Sequence, residues 1–371
     1  MNKKVITVVG GCGHIGLPLS IILCNKGYDV IAYDLNKEIF TDIKKGKMPF
    51  LENNGQTQLK KALKTKRLTL TDKPILKMKT GDFIITIGTP VDEFLNPSIN
   101  LLKKCIKDLS NYISDKSLIM LRSTVSPGTT EWLSNYLNRS KKKRIYVSFC
   151  LERVVQGHTF DEIGSIPQII AGTSKEANKR SSDYFKKITK KIIFTSPKEA
   201  ELTKLFSNAF RYIQFAIANQ FFMLADEYDL NFKNIRKAMT MSYPRAENLP
   251  SPGFAAGPCL FKDTMQLVSF AQNNFTLGFN AMLINEGLIL YLIKKIEKMT
   301  NLKNKSVGLL GMAFKANNDD IRASLSFKLK KLLETKSKKV FCNDPYIKNN
   351  KSLVSINKVL SCDIIIVCVP H

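Results

Sequence analysis

The sequence predicts an α/β protein with an N-terminal Rossmann-like, doubly wound parallel sheet, a central long-helix domain and a second, incomplete Rossmann-like domain at the C-terminus. Three observations carry that expectation. The first 34 residues read as strand, glycines, helix, strand and acid. Short apolar strands then alternate with helical segments as far as residue 194, the pattern of a parallel sheet covered on both faces. A helical pattern from 197 to about 230, with no internal Gly or Pro, precedes a further strand–helix–strand unit. The expected domains are residues 1–196, 197–300 and 301–371.

In the first element, residues 5–9 form a β-rich run ending at Gly10-Gly11-Cys12-Gly13-His14-Ile15-Gly16. Gly11, Gly13 and Gly16 fit G-x-G-x-x-G, residues 17–23 have helical apolar spacing, and the run 29–33 ends in Asp34. This is the dinucleotide fingerprint in its required context. Gly11 permits the tight turn, Gly13 lets backbone approach the pyrophosphate, and Gly16 lets the helix pack on the strand. His14 and Ile15 lie within the same cofactor loop. Asp34 would bind the adenosine ribose and repel a 2′-phosphate, which favours NAD over NADP.

Strand-like runs recur at 67–70, 82–87, 118–121, 145–149, 168–171 and 192–194. Ligands of such sheets bind beyond the carboxyl ends of the strands. Three strand ends carry polar signals: Gly88-Thr89-Pro90, Arg122-Ser123-Thr124 and Leu151-Glu152-Arg153. Each alone could be turn chemistry.

The long helix opens with Ser196-Pro197-Lys198-Glu199, a capping serine, a proline at the first position and an early acid. Lys204 and Asn208 are spaced i, i+4 with Arg211 a turn further, so they share one face. The apolar surround of Leu205, Phe206, Phe210, Ile213 and Phe215 predicts a buried helix whose polar stripe faces a site. A helix of this length is also expected to form a subunit interface.

Next comes Ser251-Pro252-Gly253-Phe254-Ala255-Ala256-Gly257-Pro258-Cys259-Leu260-Phe261-Lys262-Asp263. Small residues let backbone approach a ligand closely. A thiol there, with cationic and acidic neighbours, can be held as a thiolate and used as a nucleophile. By itself the loop also fits a surface turn with an inert cysteine. Helices are expected at 263–273, 281–298 and 326–333, and strands at 307–310, 340–343 and 363–369.

Composition narrows the class. At 371 residues the chain can hold two or three cores, and 44% hydrophobic with 24% charged residues is ordinary for a globular protein. Eight cysteines without C-x-x-C spacing argue for reduced thiols in a cytoplasmic setting, and three histidines argue against a metal site. The net charge of +26 is spread along the chain and not gathered into one basic, aromatic-interleaved face. That argues against nucleic-acid binding while drawing anionic small substrates. No uncharged run reaches the length of a membrane span.

These motifs, in order, resemble the UDP-glucose/GDP-mannose dehydrogenase family, the nucleotide-sugar 6-dehydrogenases, over essentially the whole chain. They are the Gly11–Gly16 loop with Asp34, the Gly88-Thr89-Pro90 turn, Arg122-Ser123-Thr124, Leu151-Glu152-Arg153, the 199–208 stretch and the 253–263 loop. Phe314-Lys315 with Asp319-Asp320-Ile321-Arg322 adds another. The resemblance implies a UDP-hexose oxidised twice at C6 by two NAD molecules to a uronic acid, for polysaccharide synthesis, in a cytoplasmic homodimer. It implies that Cys259 captures the aldehyde as a thiohemiacetal and then carries a thioester. Lys204 and Asn208 would stabilise the oxyanion, Asp263 and Thr124 handle water and protons, and Glu152 act as the hydrolytic base. Thr89, Thr124, Lys262 and Arg322 would contact the cofactor. Leu151, Glu152, Lys204, Asn208, Arg245, Gly253, Phe254 and Lys315 would contact the sugar nucleotide.

Departures are Leu151 and Phe261 at usual proline positions, and Ala316, Ala323 and Leu325 at usual Pro, Glu and Pro positions. Family members usually continue beyond the position of His371, so the nucleotide-binding domain is expected to be incomplete. The sugar stays open. The 259–263 run looks like UDP-glucose or GDP-mannose types, whereas Pro127-Gly128-Thr129-Thr130 and Tyr243-Pro244-Arg245 look like types acting on UDP-N-acetylhexosamines such as UDP-N-acetylmannosamine. A non-catalytic NAD-binding homologue and a two-electron hydroxyacid dehydrogenase are the competing readings.

Overall fold

β1 (Val5–Val9) is apolar and buried at every position but Thr7, itself fully buried, because helices cover both faces of its sheet. The computed structural model describes residues 5–88, 99–141, 143–348 and 350–371. After β1 come α1 (Gly16–Asn25), β2 (Asp29–Tyr33), α2 (Phe40–Lys44), α3 (Gly55–Lys64), β3 (Leu68–Thr71) and β4 (Gly81–Ile85). Then follow α4 (Asn100–Leu109), β5 (Leu118–Leu121), α5 (Thr129–Lys141), β6 (Tyr146–Cys150) and α6 (Thr159–Glu162). β7 (Gln168–Gly172), α7 (Lys175–Phe185) and β8 (Ile192–Phe194) lead to the long α8 (Pro197–Glu227). The chain divides into two compact units, Met1–Leu205 and Phe206–His371.

Among the described residues the first unit forms an eight-stranded sheet in the order β3-β2-β1-β4-β5-β6-β7-β8. The order reverses between β1 and β4, which makes their carboxyl ends the switch point where ligands of such sheets bind. The expected all-parallel arrangement breaks once. β7 runs antiparallel to β6, pairing Cys150 with Ile170 and Ser148 with Gly172. The reason is the connection: residues 151–167 stay near the end of β6 and hold only the four-residue α6, with no crossover helix to return the chain to the opposite edge.

The second unit holds the rest of α8, then α9 (Phe232–Thr240), α10 (Leu260–Phe270), α11 (Thr276–Met299), β9 (Ser306–Leu310) and α12 (Leu325–Glu334). β10 (Lys339–Asn343), α13 (Ile356–Leu360) and β11 (Ile364–Val367) complete it, with the parallel order β10-β9-β11. The sequence reading places no helix at α9 and starts α10 and α11 three and five residues late. α11 is long and apolar enough to cross a membrane by length and composition. Here its Asn285 is fully buried, accepting from the Asn219 amide at 2.9 Å and donating to the Tyr212 carbonyl at 3.0 Å.

The small sheet repeats the geometry of the first strand turn. Gly10 (φ +75°) donates to Tyr33 O at 2.9 Å, and Gly311 (φ +84°) donates to Asn343 O at 3.0 Å. Asp34, just after β2, accepts the Cys12 N–H at 3.0 Å, and Asp344, just after β10, accepts those of Met312 (2.7 Å) and Ala313 (2.9 Å). In both places a carboxylate ties the end of the neighbouring strand to the loop after the central one.

Candidate active site

Each glycine of the first loop meets a different constraint. A Cβ on Gly11 would lie 2.6 Å from Ala32 Cα and Val8 O, and one on Gly16 would overlap the carbonyl of Gly10. Those two positions are closed by the protein itself. A Cβ on Gly13 would meet nothing nearer than Gly10 O at 3.6 Å, so packing does not require glycine there. Close approach of a pyrophosphate to the backbone does require it. Asp34 is oriented at both oxygens, by Cys12 N and by Asn36 N, each at 3.0 Å. The loop thus fits a dinucleotide, with Asp34 placed for the ribose. Ile15 is partly exposed beside it, and Thr89 lies outside the described residues.

At the ends of β5 and β6 sits a buried ion pair. Arg122 is 2% exposed and Glu152 6%. Arg122 Nε donates to Glu152 Oε2 at 2.8 Å, its Nη2 pairs with the same oxygen, and its Nη1 donates to Cys150 O and to Gln168 Oε1. The other carboxylate oxygen accepts the N–H groups of Arg153 (2.8 Å) and Val154 (3.0 Å). Burial pushes the Glu152 carboxyl up, but Arg122, the Val154 N–H and Lys204 outweigh it and hold it below the ordinary carboxylate range. This network anchors the turn that follows β6. Lys204 Nζ donates to the Glu152 carbonyl at 2.7 Å. Ser123 is buried, Thr124 lies three residues past β5, and Leu151, directly after β6, is buried.

α8 is launched by the expected cap: Ser196 N donates to Glu199 Oε2 at 2.8 Å. Two residues on, the fully buried Glu201 accepts from Gly128 N (2.6 Å), Thr130 N (2.8 Å) and Thr130 Oγ1 (2.6 Å), capping α5 from outside. Of the polar stripe, Lys204 is half-buried and Asn208 buried, while Arg211 stays exposed. The surround is also more open than expected. Leu205 is fully buried, but Phe206 and Phe210 are 55% and 62% exposed.

In the second unit, Asn208 Nδ2 donates to Asp263 Oδ2 at 2.6 Å, and Lys262 Nζ lies 3.1 Å from Asp263 Oδ1. Asp263 is fully buried, and its N–H donates to Cys259 O at 2.8 Å. Cys259 is the N-cap residue of α10, the end of a helix that favours negative charge. It is also exposed, whereas burial pushes Cys12, Cys24, Cys105 and Cys368 up to about 12 and Cys150 and Cys342 to about 11. Arg322 is held by Asp320, at 2.9 Å from its Nε, and its charge reaches Cys259.

The cysteine loop is pinned at both ends. Asn219 exchanges hydrogen bonds with Gly253, accepting at 2.8 Å and donating at 3.1 Å. Gly257 (φ +105°) leaves space for the Phe314 ring, whose Cδ2 would lie 2.6 Å from a Cβ there. Its N–H donates to Ala323 O at 3.2 Å. Phe254 packs against the core of the small sheet, Lys315 Nζ lies 5.8 Å from the Phe314 ring centre, and Arg245 is exposed beside Tyr243. Sequence reasoning missed Glu201, Gln168, Asn219 and Asn285. The signal for the two asparagines was a polar residue at a core position of an otherwise apolar helix.

A glycine loop at the switch point of an open sheet, with an acid after β2, defines a dinucleotide-binding enzyme. The chain belongs to the UDP-glucose/GDP-mannose dehydrogenase family: the family's NAD-binding domain matches residues 4–193, its central domain 198–287 and its UDP-binding domain 308–371. It is accordingly an NAD-dependent oxidoreductase. It is 32% identical over 375 residues to a UDP-N-acetyl-D-mannosamine dehydrogenase of Pyrococcus horikoshii, covering 97% of this chain and 88% of the relative. An NDP-N-acetyl-D-galactosaminuronic acid dehydrogenase of Ralstonia nicotianae is 26% identical over 393 residues, covering 100% and 92%. The solved UDP-D-ManNAc dehydrogenase of Pyrococcus horikoshii superposes with a TM-score of 0.91 at 30% identity, over 99% of this chain and 90% of that one.

Two substitutions separate packing from binding in the glycine loop. Gly16→Ala is expected to cost about 1–3 kcal/mol of stability by overpacking. Gly13→Ala should leave stability unchanged or raised by about 0.4–1 kcal/mol while weakening NAD binding, read by denaturant unfolding beside NADH titration.

Arg122→Met should destabilise by about 3–5 kcal/mol at pH 7, because Glu152 stays buried without its cation. In the wild type the depressed Glu152 carboxyl contributes stability above its unfolded value, and this is lost as pH falls through the folded value. In the variant, burial raises that carboxyl, so the penalty is full above the raised value and relieved below it. The gap between the two unfolding curves should therefore narrow from pH 7 towards pH 4.

Proposed function

We propose that the chain oxidises the C6 hydroxyl of a UDP-N-acetylhexosamine, UDP-N-acetyl-D-mannosamine foremost, to the uronic acid in two NAD-dependent steps, with UDP-glucose as the alternative substrate. The observation that carries this reading is the Cys259 thiol, exposed at a helix N-cap one turn from buried Asp263, while six of the other cysteines are raised by burial. The names of the relatives in Pyrococcus horikoshii and Ralstonia nicotianae support the N-acetylhexosamine class.

NAD, held by the glycine loop and Asp34, would supply the hydride acceptor for each oxidation. In this reading the Cys259 sulfur adds to the C6 aldehyde, giving a thiohemiacetal, and loss of the second hydride leaves a thioester. Water then cleaves the C–S bond, releasing the carboxylate and returning the thiol. Lys204 and Asn208 donate to the oxygen that gains charge at each tetrahedral stage. Asp263, held between Asn208 and Lys262, and Thr124 position the water and handle protons. Glu152 is the base for thioester hydrolysis, and the carbonyl of the same residue holds Lys204. Leu151, Arg245, Gly253, Phe254 and Lys315 contact the sugar nucleotide, and Lys262 and Arg322 the cofactor.

The working unit in this reading is a cytoplasmic homodimer that feeds polysaccharide synthesis. Phe206, Phe210, Ile217, Phe221, Leu224 and Tyr228 are each 40% exposed or more and recur at three-, four- and seven-residue steps along α8 and just past its end. That is the spacing of a helix seam awaiting another helix.

Cys259→Ser is expected to abolish acid formation, with the wild type producing two NADH per sugar when a panel of UDP- and GDP-sugars is tested. Wild-type turnover by the variant, or one NADH per sugar, refutes the mechanism. Phe210→Asp should convert a dimer into a monomer in sedimentation velocity, and a monomeric wild type at micromolar concentration refutes the assembly.

A further inference from the structure

His14, the residue that follows the second glycine of the fingerprint, is gripped from two sides. Its ring packs against Phe50 with centroids 4.2 Å apart, and Gln156 Nε2 donates to its Nδ1 at 3.0 Å. Both gripping segments are fixed to each other. The carboxylate of Glu52 accepts the N–H groups of Gly157 (3.2 Å) and Thr159 (2.5 Å), and Asn53 N donates to Gly157 O at 2.8 Å. The segment bearing Gln156 begins at Glu152, which Arg122 anchors.

A loop rich in glycine has the most backbone freedom to lose on binding a ligand. No side chain packs the loop in place at Gly13, whose backbone is held by Gly13 N donating to Gly10 O at 3.2 Å and Leu17 N donating to Gly13 O at 2.9 Å. His14 is the next residue with a side chain to hold, and its backbone belongs to the stretch that must face the pyrophosphate. We propose that Gln156 and Glu52 are positioning residues for the cofactor: Glu52 fixes the turn at 157–159, Gln156 fixes His14, and His14 holds the glycine loop ready for the dinucleotide. Preorganisation of this kind gains affinity without a new contact to the ligand.

The test is direct NADH titration by fluorescence on the full chain, without nucleotide sugar, so its outcome is independent of the Cys259 chemistry. Gln156→Leu should raise the Kd about three- to tenfold, the worth of one hydrogen bond. His14→Ala should do the same. The double variant should be no weaker than the weaker single, because Gln156 acts through His14. Glu52→Gln, which keeps an acceptor, should fall between wild type and Glu52→Ala. A role confined to folding would lower the melting temperature and the binding-competent fraction with the Kd unmoved. That result, or additive effects of Gln156→Leu and His14→Ala, overturns the proposal.

Discussion

A carboxylate buried at the end of β6 cannot stand without a cation, and the guanidinium of Arg122 at the end of β5 meets that demand. The pair has no slack. Arg122 also binds the Cys150 carbonyl and the Gln168 side chain, and Glu152 binds two N–H groups of its own turn. Three strands are therefore tied at their functional ends by one ionic network. The turn it fixes presents a carbonyl to Lys204 on α8, so the position of that cation follows from the pair.

α8 shows how one helix serves several demands at successive turns. Glu199 closes its own cap, Glu201 caps α5, Lys204 meets the turn after β6, and Asn208 meets Asp263. Asn219, further along, holds Gly253 and so one end of the cysteine loop. Within each unit these side chains sit on helical backbone, a better mount than a loop for groups that must be placed accurately.

The recurrence of one device in both sheets is equally physical. A glycine with positive φ after the central strand, tied by a carboxylate after its neighbour, turns the chain sharply while leaving loop N–H groups oriented. In the first unit, Gly11 and Gly16 are demanded by the protein's own atoms and Gly13 is not. The fingerprint is thus part packing rule and part binding rule.

The strands, the glycine loop, Asp34 and the capped start of α8 were legible in the sequence because each depends on local rules: periodicity, turn geometry and capping. Cys259 was legible for the same reason, as a thiol among small residues ahead of a helix. The direction of β7 was not, because strand direction depends on the path of the connecting segment. Nor were Glu201, Gln168 and Asn219, whose partners lie tens of residues away. The sequence by itself determined which segments form strands and helices and which residue types crowd the strand ends. Only the tertiary structure decided which charges neutralise each other, since burial and distance set the strength of such pairs and neither can be read along a chain.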